Sequence, residues 1–359
     1  MKKIKVMALS DLHLGEPEGL LYNGGANIID TAVTKIVELA RGGNGLEDGI
    51  EELILVGDIA DLSEATENEA YTNTRVFLTA LLGKVKVDKI IYIPGNHDHH
   101  LWVEMLKAHY GKGSYDECVP KTIVVIPKPK LLIENCIPDS YQGGVEAHYP
   151  FYQIKTDNNY FFFDHGHLFS STLNKWVGNV GSLEEMEEKA HWFMEILWFK
   201  GETPWRVTLY NLREKIYDWA RRLADRAKHL DRGVSFKEDS TPVYDDALRD
   251  RIINYLSKLI KLDEAAFKDF HLVFGHTHYG GRIVRGDRKI RVNGRFITFW
   301  NTGGWIVPSE VFSPDAYIFY IEQASDRLKP QTYKLVAKDG DEEGDYKRDI
   351  LKEIVKRIV

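Results

Sequence analysis

Cysteine is almost absent from this sequence: only Cys118 and Cys136 occur among 359 residues. Two cysteines cannot build the disulfide framework of a small secreted protein, and they exclude a zinc site made of four thiolates. No apolar run reaches the roughly 18 residues that a transmembrane helix requires. The first apolar stretch is interrupted by Lys5 and ends at Ser10, which is too short for a signal peptide. We therefore expect a cytoplasmic protein without a membrane span.

Positive charge is also in deficit, because 47 Lys and Arg residues oppose 54 Asp and Glu residues, for a formal net charge of -7. Dedicated nucleic-acid binders usually carry a basic surface, so this balance disfavours DNA or RNA as the partner. Hydrophobic residues make up 43% of the chain, which supports a packed core and excludes a mainly disordered protein. Histidine, by contrast, is plentiful, with 13 residues. An acidic, histidine-rich composition fits a protein that binds cations.

Short apolar segments alternate with helical segments in the first part of the chain. Apolar, β-prone runs at 4–9, 53–56 and 89–93 are each followed by a polar loop, and amphipathic patterns predict helices over 27–41 and 67–82. This order is typical of an α/β sheet whose functional loops follow the carboxyl ends of its strands. Further strands are predicted at 123–126, 131–133, 160–163, 272–274, 282–284, 296–300 and 316–321.

The segment from about residue 168 to residue 269 has a different, almost wholly helical pattern. We predict a discontinuous core (1–169 and 271–343), a helical insertion over 170–270 and a C-terminal helix over 344–359. Between residues 206 and 232 the insertion has eight basic and four acidic side chains. The insertion is interpreted as a cap that binds a phosphorylated substrate through residues such as Arg221 and Arg222. A helical hairpin packed on the core and an oligomer interface stay open as alternatives.

Five polar clusters each follow an apolar β-type run. They are Asp11-Leu-His13, Gly57-Asp58-Ile-Ala-Asp61, Gly95-Asn96-His97-Asp98, His165-Gly-His167 and Gly275-His276-Thr-His278. Each cluster alone is compatible with a turn or a helix cap, but together they supply carboxylate, amide and imidazole ligands for divalent cations. Residues i and i+2 of an extended segment point to the same side, so each Asp-x-His or His-x-His pair presents two ligands. The loops are expected to converge at the carboxyl edge of one sheet.

In order and spacing, the motifs D-x-H, GD-x-x-D, GNHD, HGH and GHTH resemble those of the calcineurin-like metallophosphoesterase superfamily. The resemblance covers residues 4–169 and 271–321. It implies an α/β (α+β) protein, a four-layer αββα sandwich with two divalent metal ions at one edge. It also implies a phosphatase or phosphodiesterase that hydrolyses a phosphate monoester, a diester or a pyrophosphate by attack of a metal-bridging hydroxide.

The resemblance further implies a role for each matching residue. The first metal would be bound by Asp11, His13 and His278, the second by Asn96, His165 and His276, with Asp58 bridging the two. His97 would act as general acid or electrostatic stabiliser, with Asp98 orienting its ring. Asp61 would support the site without binding metal, and His167 would contact the substrate or a ligand, unless it exchanges roles with His165. Oxygen and imidazole ligands favour Mn²⁺, with Fe and Zn as alternatives.

The substrate stays open at the level of sequence. A helical insertion followed by GHTH and Asn301-Thr-Gly-Gly-Trp305 is similar to the UDP-2,3-diacylglucosamine pyrophosphohydrolases, although HGH stands here where they usually have HGD. A DNA or RNA exonuclease shares the metal core, but the acidic balance disfavours it. A non-catalytic metal-binding scaffold is a third class, which the complete set of ligand positions disfavours. A phosphorylated small molecule is the expected substrate.

Overall fold

The computed structural model describes residues 2–16, 19, 21, 25–40, 49–63, 65–110, 124–156, 158–169, 234–236, 242–244, 246–259, 269–278, 281–283, 290–292, 295–305, 316–324 and 327–334. Within these residues, two large β-sheets pack face to face through an apolar core. Helices cover the outer side of the first sheet. No helix in the described part of the chain is long and apolar enough to span a membrane.

The first sheet has seven strands in the order β15-β14-β1-β2-β3-β5-β4. They are β1 (Lys2–Leu9), β2 (Ile50–Val56), β3 (Val87–Ile93), β4 (Val124–Pro127), β5 (Gly144–Tyr149), β14 (Tyr317–Ala324) and β15 (Arg327–Lys334). The four central strands β1, β2, β3 and β5 run parallel, and the edge strands pair antiparallel. The Val, Ile and Leu runs of the parallel strands suit a sheet that is buried on both faces.

The second sheet has six strands, with β11-β13-β10-β7-β6 in order and β12 paired to β13. They are β6 (Phe151–Lys155), β7 (Asn159–Asp164), β10 (Asp269–Phe274), β11 (Gly281–Ile283), β12 (Ile290–Val292) and β13 (Arg295–Asn301). Strands β7, β10 and β13 run parallel. The chain crosses from the first sheet to the second at Pro150, between β5 and β6.

In the described part of the chain, five α-helices flank the sheets. They are α1 (Gly25–Ala40), α2 (Glu67–Leu82), α3 (His99–Tyr110), α4 (Lys130–Asn135) and α5 (Asp246–Leu259). Side chains alternate across a strand, so Met7 and Leu9 pack in the cluster that contains α1 to α4, while Val6 and Ala8 face the second sheet. Helix α5 contacts the second sheet through Tyr255. The layers therefore form the αββα sandwich that the sequence motifs imply.

Several predicted elements are confirmed within a residue or two. The helix expected over 67–82 is α2, and Thr66 begins it with a capping box to Glu69. The strand expected at 131–133 is wrong, because that run lies in helix α4. The guanidinium of Arg75 donates to the carbonyls of Glu134 and Ile137 at the end of this helix, a long-range contact that a short apolar run does not reveal.

The segment from about residue 168 to residue 269 also departs from the almost wholly helical pattern that the sequence predicts. Strands β8 (Val234–Phe236) and β9 (Pro242–Tyr244) form a two-stranded antiparallel sheet there. Their Val, Phe and Tyr residues favour strands, whereas helix α5 agrees with the helical pattern predicted for this segment. The rest of the predicted insertion, including Arg221 and Arg222, and the predicted C-terminal helix lie outside the described residues.

Candidate metal centre

The five polar clusters lie at carboxyl ends of strands from both sheets. The clusters of Asp11, Asp58 and Asn96 follow β1, β2 and β3 of the first sheet. The clusters of His165 and His276 follow β7 and β10 of the second sheet. The expectation that all these loops belong to one sheet is therefore wrong. They meet because two sheets stack with their functional strand ends at the same edge.

The backbone in these clusters is not extended. Five residues have positive φ angles: Asp11 (51°), His13 (46°), Asp58 (52°), His276 (62°) and His278 (60°). The argument that i and i+2 side chains of an extended segment share a side therefore does not apply here. A positive φ angle in a residue other than glycine costs about 1–3 kcal/mol of stability, and backbone strain of this kind clusters at functional sites.

One group of ligand atoms combines side chains of Asp11, His13 and His278. The Nε2 atoms of His13 and His278 are 3.3 Å apart, and Nε2 of His278 is 3.3 Å from Oδ1 of Asp11. Asp11 and His13 are fully buried, so little water competes with a bound ion. The structure thus brings together the three residues that the motifs assign to a first metal.

A second group combines Asp58, His165 and His276. Nε2 of His165 lies 3.0 Å from Oδ2 of Asp58 and 3.1 Å from Oδ1 of Asn96. The same Oδ2 atom of Asp58 is 4.0 Å from Nε2 of His13, a member of the first group. Asp58 therefore lies between the two groups, as a bridging ligand would.

The pKa values of His276 and His165 are shifted in opposite directions, and both shifts bear on metal binding. Burial and the nearby charge of His165 lower the pKa of His276 to about 3, so this ring is neutral at neutral pH. Burial alone would lower the pKa of His165, but the charge of Asp58 raises it to about 10. A proton and a cation therefore compete for Nε2 of His165, which makes binding of a cation dependent on pH.

His97 is oriented by Asp61 and not by Asp98, which corrects the sequence-based expectation. Oδ2 of Asp61 lies 3.0 Å from Nδ1 of His97 and 2.8 Å from Nδ1 of His13. The carboxylate of Asp98 instead accepts hydrogen bonds from the backbone N–H groups of Gly95 (2.6 Å) and Ile59 (3.0 Å). Asp98 thus stabilises the turn after β3, a common use of Asp in loops.

The charge on His97 follows from the same contacts. Burial alone would lower the pKa of His97, but the charges of Asp61 and Asp58 raise it to about 9. The ring is 17% exposed, more than its neighbours His13 and Asp61, and its Nδ1 atom also contacts the hydroxyl of Ser63. These contacts therefore favour the protonated form of the His97 imidazole, which lies at the exposed side of the site.

The structure distinguishes His165 from His167 by their contacts. Nδ1 of His165 is 3.0 Å from the carbonyl oxygen of Val56, so an N–H at this position leaves Nε2 free to bind a cation. His167 is buried beside it, with ring centroids 5.4 Å apart. Neither ring nitrogen of His167 has a hydrogen-bond partner in the described structure. Of the two, His165 makes the contacts of a ligand.

The side chain of Asn301 stabilises the loop that carries His276 and His278, a role that the sequence motifs did not indicate. The side-chain amide of Asn301 donates to the carbonyl of Gly275 (3.1 Å) and to Oγ1 of Thr277 (2.9 Å). Its Oδ1 atom accepts the N–H of Gly303 at 2.8 Å. The fully buried Asn301 therefore fixes the loop that carries His276 and His278. Its position at the carboxyl end of β13 was the available signal.

Glycines in the motifs leave room for the carboxylates. A Cβ atom at Gly95 would lie 2.6 Å from the backbone nitrogen of Asp58, and one at Gly275 would lie 2.8 Å from Cβ of Ser10. Ser10 in turn donates a hydrogen bond to Asp11. The buried carboxylates, imidazoles and amide oxygen in this space are the donors that borderline divalent cations prefer. The site therefore fits bound divalent metal ions.

An αββα sandwich with such a cluster at its strand ends defines the class of metal-binding phosphoesterases. Residues 4–280 match the family model described as calcineurin-like phosphoesterase, and the chain belongs to this family. The family normally binds divalent metals and consists broadly of hydrolases of phosphate esters. The resemblance seen in the motifs is thereby confirmed. No curated protein matches this sequence.

Among solved structures, this chain is similar to Vps29 proteins at low identity. A double mutant of Vps29 from Entamoeba histolytica is 13% identical, with 95% of this chain and 94% of that chain covered and a TM-score of 0.33. Vps29 from Cryptosporidium parvum is 12% identical, with 95% and 94% covered and a TM-score of 0.32. Wild-type Vps29 from Entamoeba histolytica complexed with zinc is 11% identical, with 93% and 99% covered and a TM-score of 0.26.

Proposed function

We propose that this protein is a metal-dependent phosphoesterase that hydrolyses a phosphate mono- or diester or a pyrophosphate. The observation that carries the proposal is the convergence of seven side chains from five loops into two adjacent groups, with Asp58 between them. In the proposed assignment, one ion would be held by Asp11, His13 and His278 and the other by Asn96, His165 and His276, and Asp58 would be available to both. Mn²⁺ is the proposed metal, with Fe or Zn as alternatives.

Two bound cations would supply a nucleophile at neutral pH and neutralise charge on the phosphoryl oxygens. The protein's own groups do the rest. His97, whose pKa is raised by the charges of Asp61 and Asp58, donates a proton to the leaving oxygen or stabilises charge on the phosphate. Asp61 holds the His97 ring in place, and the backbone N–H of His97 donates to Oδ1 of Asp58 at 2.8 Å. This hydrogen bond fixes the position of His97 relative to the carboxylate of Asp58.

The variant Asp58→Asn tests the proposal. Asn keeps the size of Asp58 but removes the charge shared between the two groups, so hydrolysis of bis-p-nitrophenyl phosphate should fall at least about a thousandfold. The measurement is the rate with added Mn²⁺, together with the metal content of wild type and variant. Full activity in Asp58→Asn protein with its metals intact would sink the assignment, as would a wild type that binds Mn²⁺ but cleaves no phosphate ester.

For the substrate, we propose a phosphorylated small molecule that is selected with the help of basic residues in the segment 170–270, with the UDP-diacylglucosamine type of pyrophosphate as one candidate. In sequence, this segment begins three residues after His167 and ends at the start of β10, the strand that leads to His276. A panel of phosphomonoesters, cyclic and linear diesters and nucleoside diphosphate conjugates identifies the class. Arg221→Ala with Arg222→Ala should raise KM for the preferred substrate more than for a chromogenic one, and equal effects count against a cap.

A further inference from the structure

A polar side chain of helix α5 contacts the strand that leads into the metal centre. The hydroxyl of Tyr255 donates to Oδ2 of Asp164 at 2.6 Å. Tyr255 is 3% exposed and Asp164 is fully buried. Ile252 and Leu256, on the same face of the helix at helical spacing, are buried as well. The contact is therefore part of a packed interface and is shielded from water.

Asp164 uses its other carboxylate oxygen to shape the turn that carries His165. Oδ1 of Asp164 accepts the backbone N–H of Gly166 at 2.8 Å, the contact of a local Asp turn. Gly166 has a φ of 105°, which favours glycine, so the turn needs such support. After it, the short 3-10 helix His167–Phe169 packs against α5.

We propose that Tyr255 is a positioning residue of the metal centre, which acts through Asp164 to hold the turn that presents His165 to the cation. The proposal rests on the proposed function only in that His165 is taken as a metal ligand. Partners that orient a ligand from outside typically change metal affinity by about 10–100-fold when they are removed. Helix α5, which lies in the predicted insertion, would then be coupled to the metal centre.

Removal of the Tyr255 hydroxyl should weaken metal binding because it leaves a buried polar group without its partner. Without the hydroxyl of Tyr255, Oδ2 of Asp164 is buried without its donor, and such a group moves or draws in water to regain a partner. Either response shifts the carboxylate that holds Gly166. His165 is then presented less often with its Nε2 atom toward Asp58, although its Nδ1 contact to Val56 still limits the ring. Metal binding should therefore weaken while the fold is kept.

The test uses the full chain and the variant Tyr255→Phe, with Mn²⁺ as the titrant in isothermal calorimetry after removal of metal. Tyr152→Phe is the matched control, since its hydroxyl also donates to a carboxylate, Oε1 of Glu52 at 3.0 Å. Glu52 lies six residues before Asp58 along β2, roughly 20 Å from the site. Melting temperatures of the metal-free proteins report general loss of stability.

We expect one Mn²⁺ binding step to weaken about 10–100-fold in Tyr255→Phe and to stay unchanged in Tyr152→Phe. Binding equal to wild type in Tyr255→Phe, or an equal loss in both variants, overturns the proposal. If Tyr255→Phe does not fold, Asp164→Asn is judged by the same criterion. Hydrolysis by wild type is measured in parallel: normal Mn²⁺ binding without hydrolysis contradicts the proposed function and leaves the role of Tyr255 standing.

Discussion

The two sheets contribute halves of the site that are organised by different chemistry. In the first half, a carboxylate is the organiser, because Asp61 contacts the rings of both His13 and His97. In the second half, a neutral amide is the organiser, because Asn301 fixes the loop of His276 and His278 through Gly275 and Thr277. A charged organiser raises the pKa of the ring it touches, whereas an amide controls only position. We infer that the first half controls proton transfer and the second half controls metal geometry.

The largest expected effect tests whether both halves are equally intolerant of added volume. In Gly95→Ala the new Cβ overlaps Asp58, and in Gly275→Ala it overlaps Asp11 and Ser10. The backbone nitrogen of Asp58 lines the first space, and the Cβ atom of Ser10, which side-chain rotation does not move, lines the second. Neither clash is therefore relieved by rotation of a side chain, and hydrolysis should fall at least about a thousandfold. Gly144→Ala is the control, since its Cβ would meet only Cγ of Lys89 at 3.4 Å. Activity is measured with excess Mn²⁺.

An unequal result would be informative about the comparison. If Gly275→Ala keeps activity while Gly95→Ala loses it, the loop of the second sheet adapts and the amide organiser is less strict than the structure indicates. Activity in both variants would contradict the role of Asp11 and Asp58 as ligands. Loss in Gly144→Ala as well would point to a general effect of alanine on the fold.

Sequence reasoning identified the side chains of the site better than the way they converge. Motif order was enough to select Asp58 and His165, which are 107 residues apart and whose Oδ2 and Nε2 atoms lie 3.0 Å from each other. It did not show that they come from different sheets, because strand order depends on long-range pairing and not on local pattern. The contact between Asp61 and His97 was missed because the family resemblance assigned the orienting role to Asp98.

The same limit explains the errors in the fold. Strand β5 alternates buried and less buried residues, and β6 follows it directly, yet no prediction covered either strand. The helix α2 was predicted well because its sixteen residues carry a long periodic pattern and a local cap. Long local patterns can be recognised from sequence, whereas elements of three to six residues depend on what they pack against.

The next largest effect concerns the first half of the site, which is organised by the carboxylate of Asp61. His97→Ala should lower kcat by about a hundredfold, at the lower end of the range for general acid catalysis. The loss should be greater for a phenyl ester than for a p-nitrophenyl ester, because the poorer leaving group needs the proton more. Asp61→Asn keeps the size of the side chain but removes its charge, so it should show the same trend with a smaller loss. Equal losses for both leaving groups would favour an electrostatic role for His97.

The smallest expected effect concerns the second half of the site, which is organised by the amide of Asn301. Asn301→Ala removes the donors to Gly275 and Thr277, so the loop of His276 and His278 should lose order and Mn²⁺ should bind about tenfold more weakly. Because Asn301 contacts no ionisable ring in these hydrogen bonds, kcat at saturating Mn²⁺ should return close to the wild-type value. The measurement is activity as a function of Mn²⁺ concentration.

Asn159→Ala serves as the control for Asn301→Ala, since Asn159 lies at the start of β7, at the opposite end from the site, and its Oδ1 atom contacts His271 at 3.4 Å. Its Mn²⁺ dependence should match the wild type. A low kcat in Asn301→Ala that Mn²⁺ does not restore would show that the amide also affects the chemical step. The division between a proton-controlling half and a metal-positioning half would then have to be abandoned, because a neutral organiser would be acting on both.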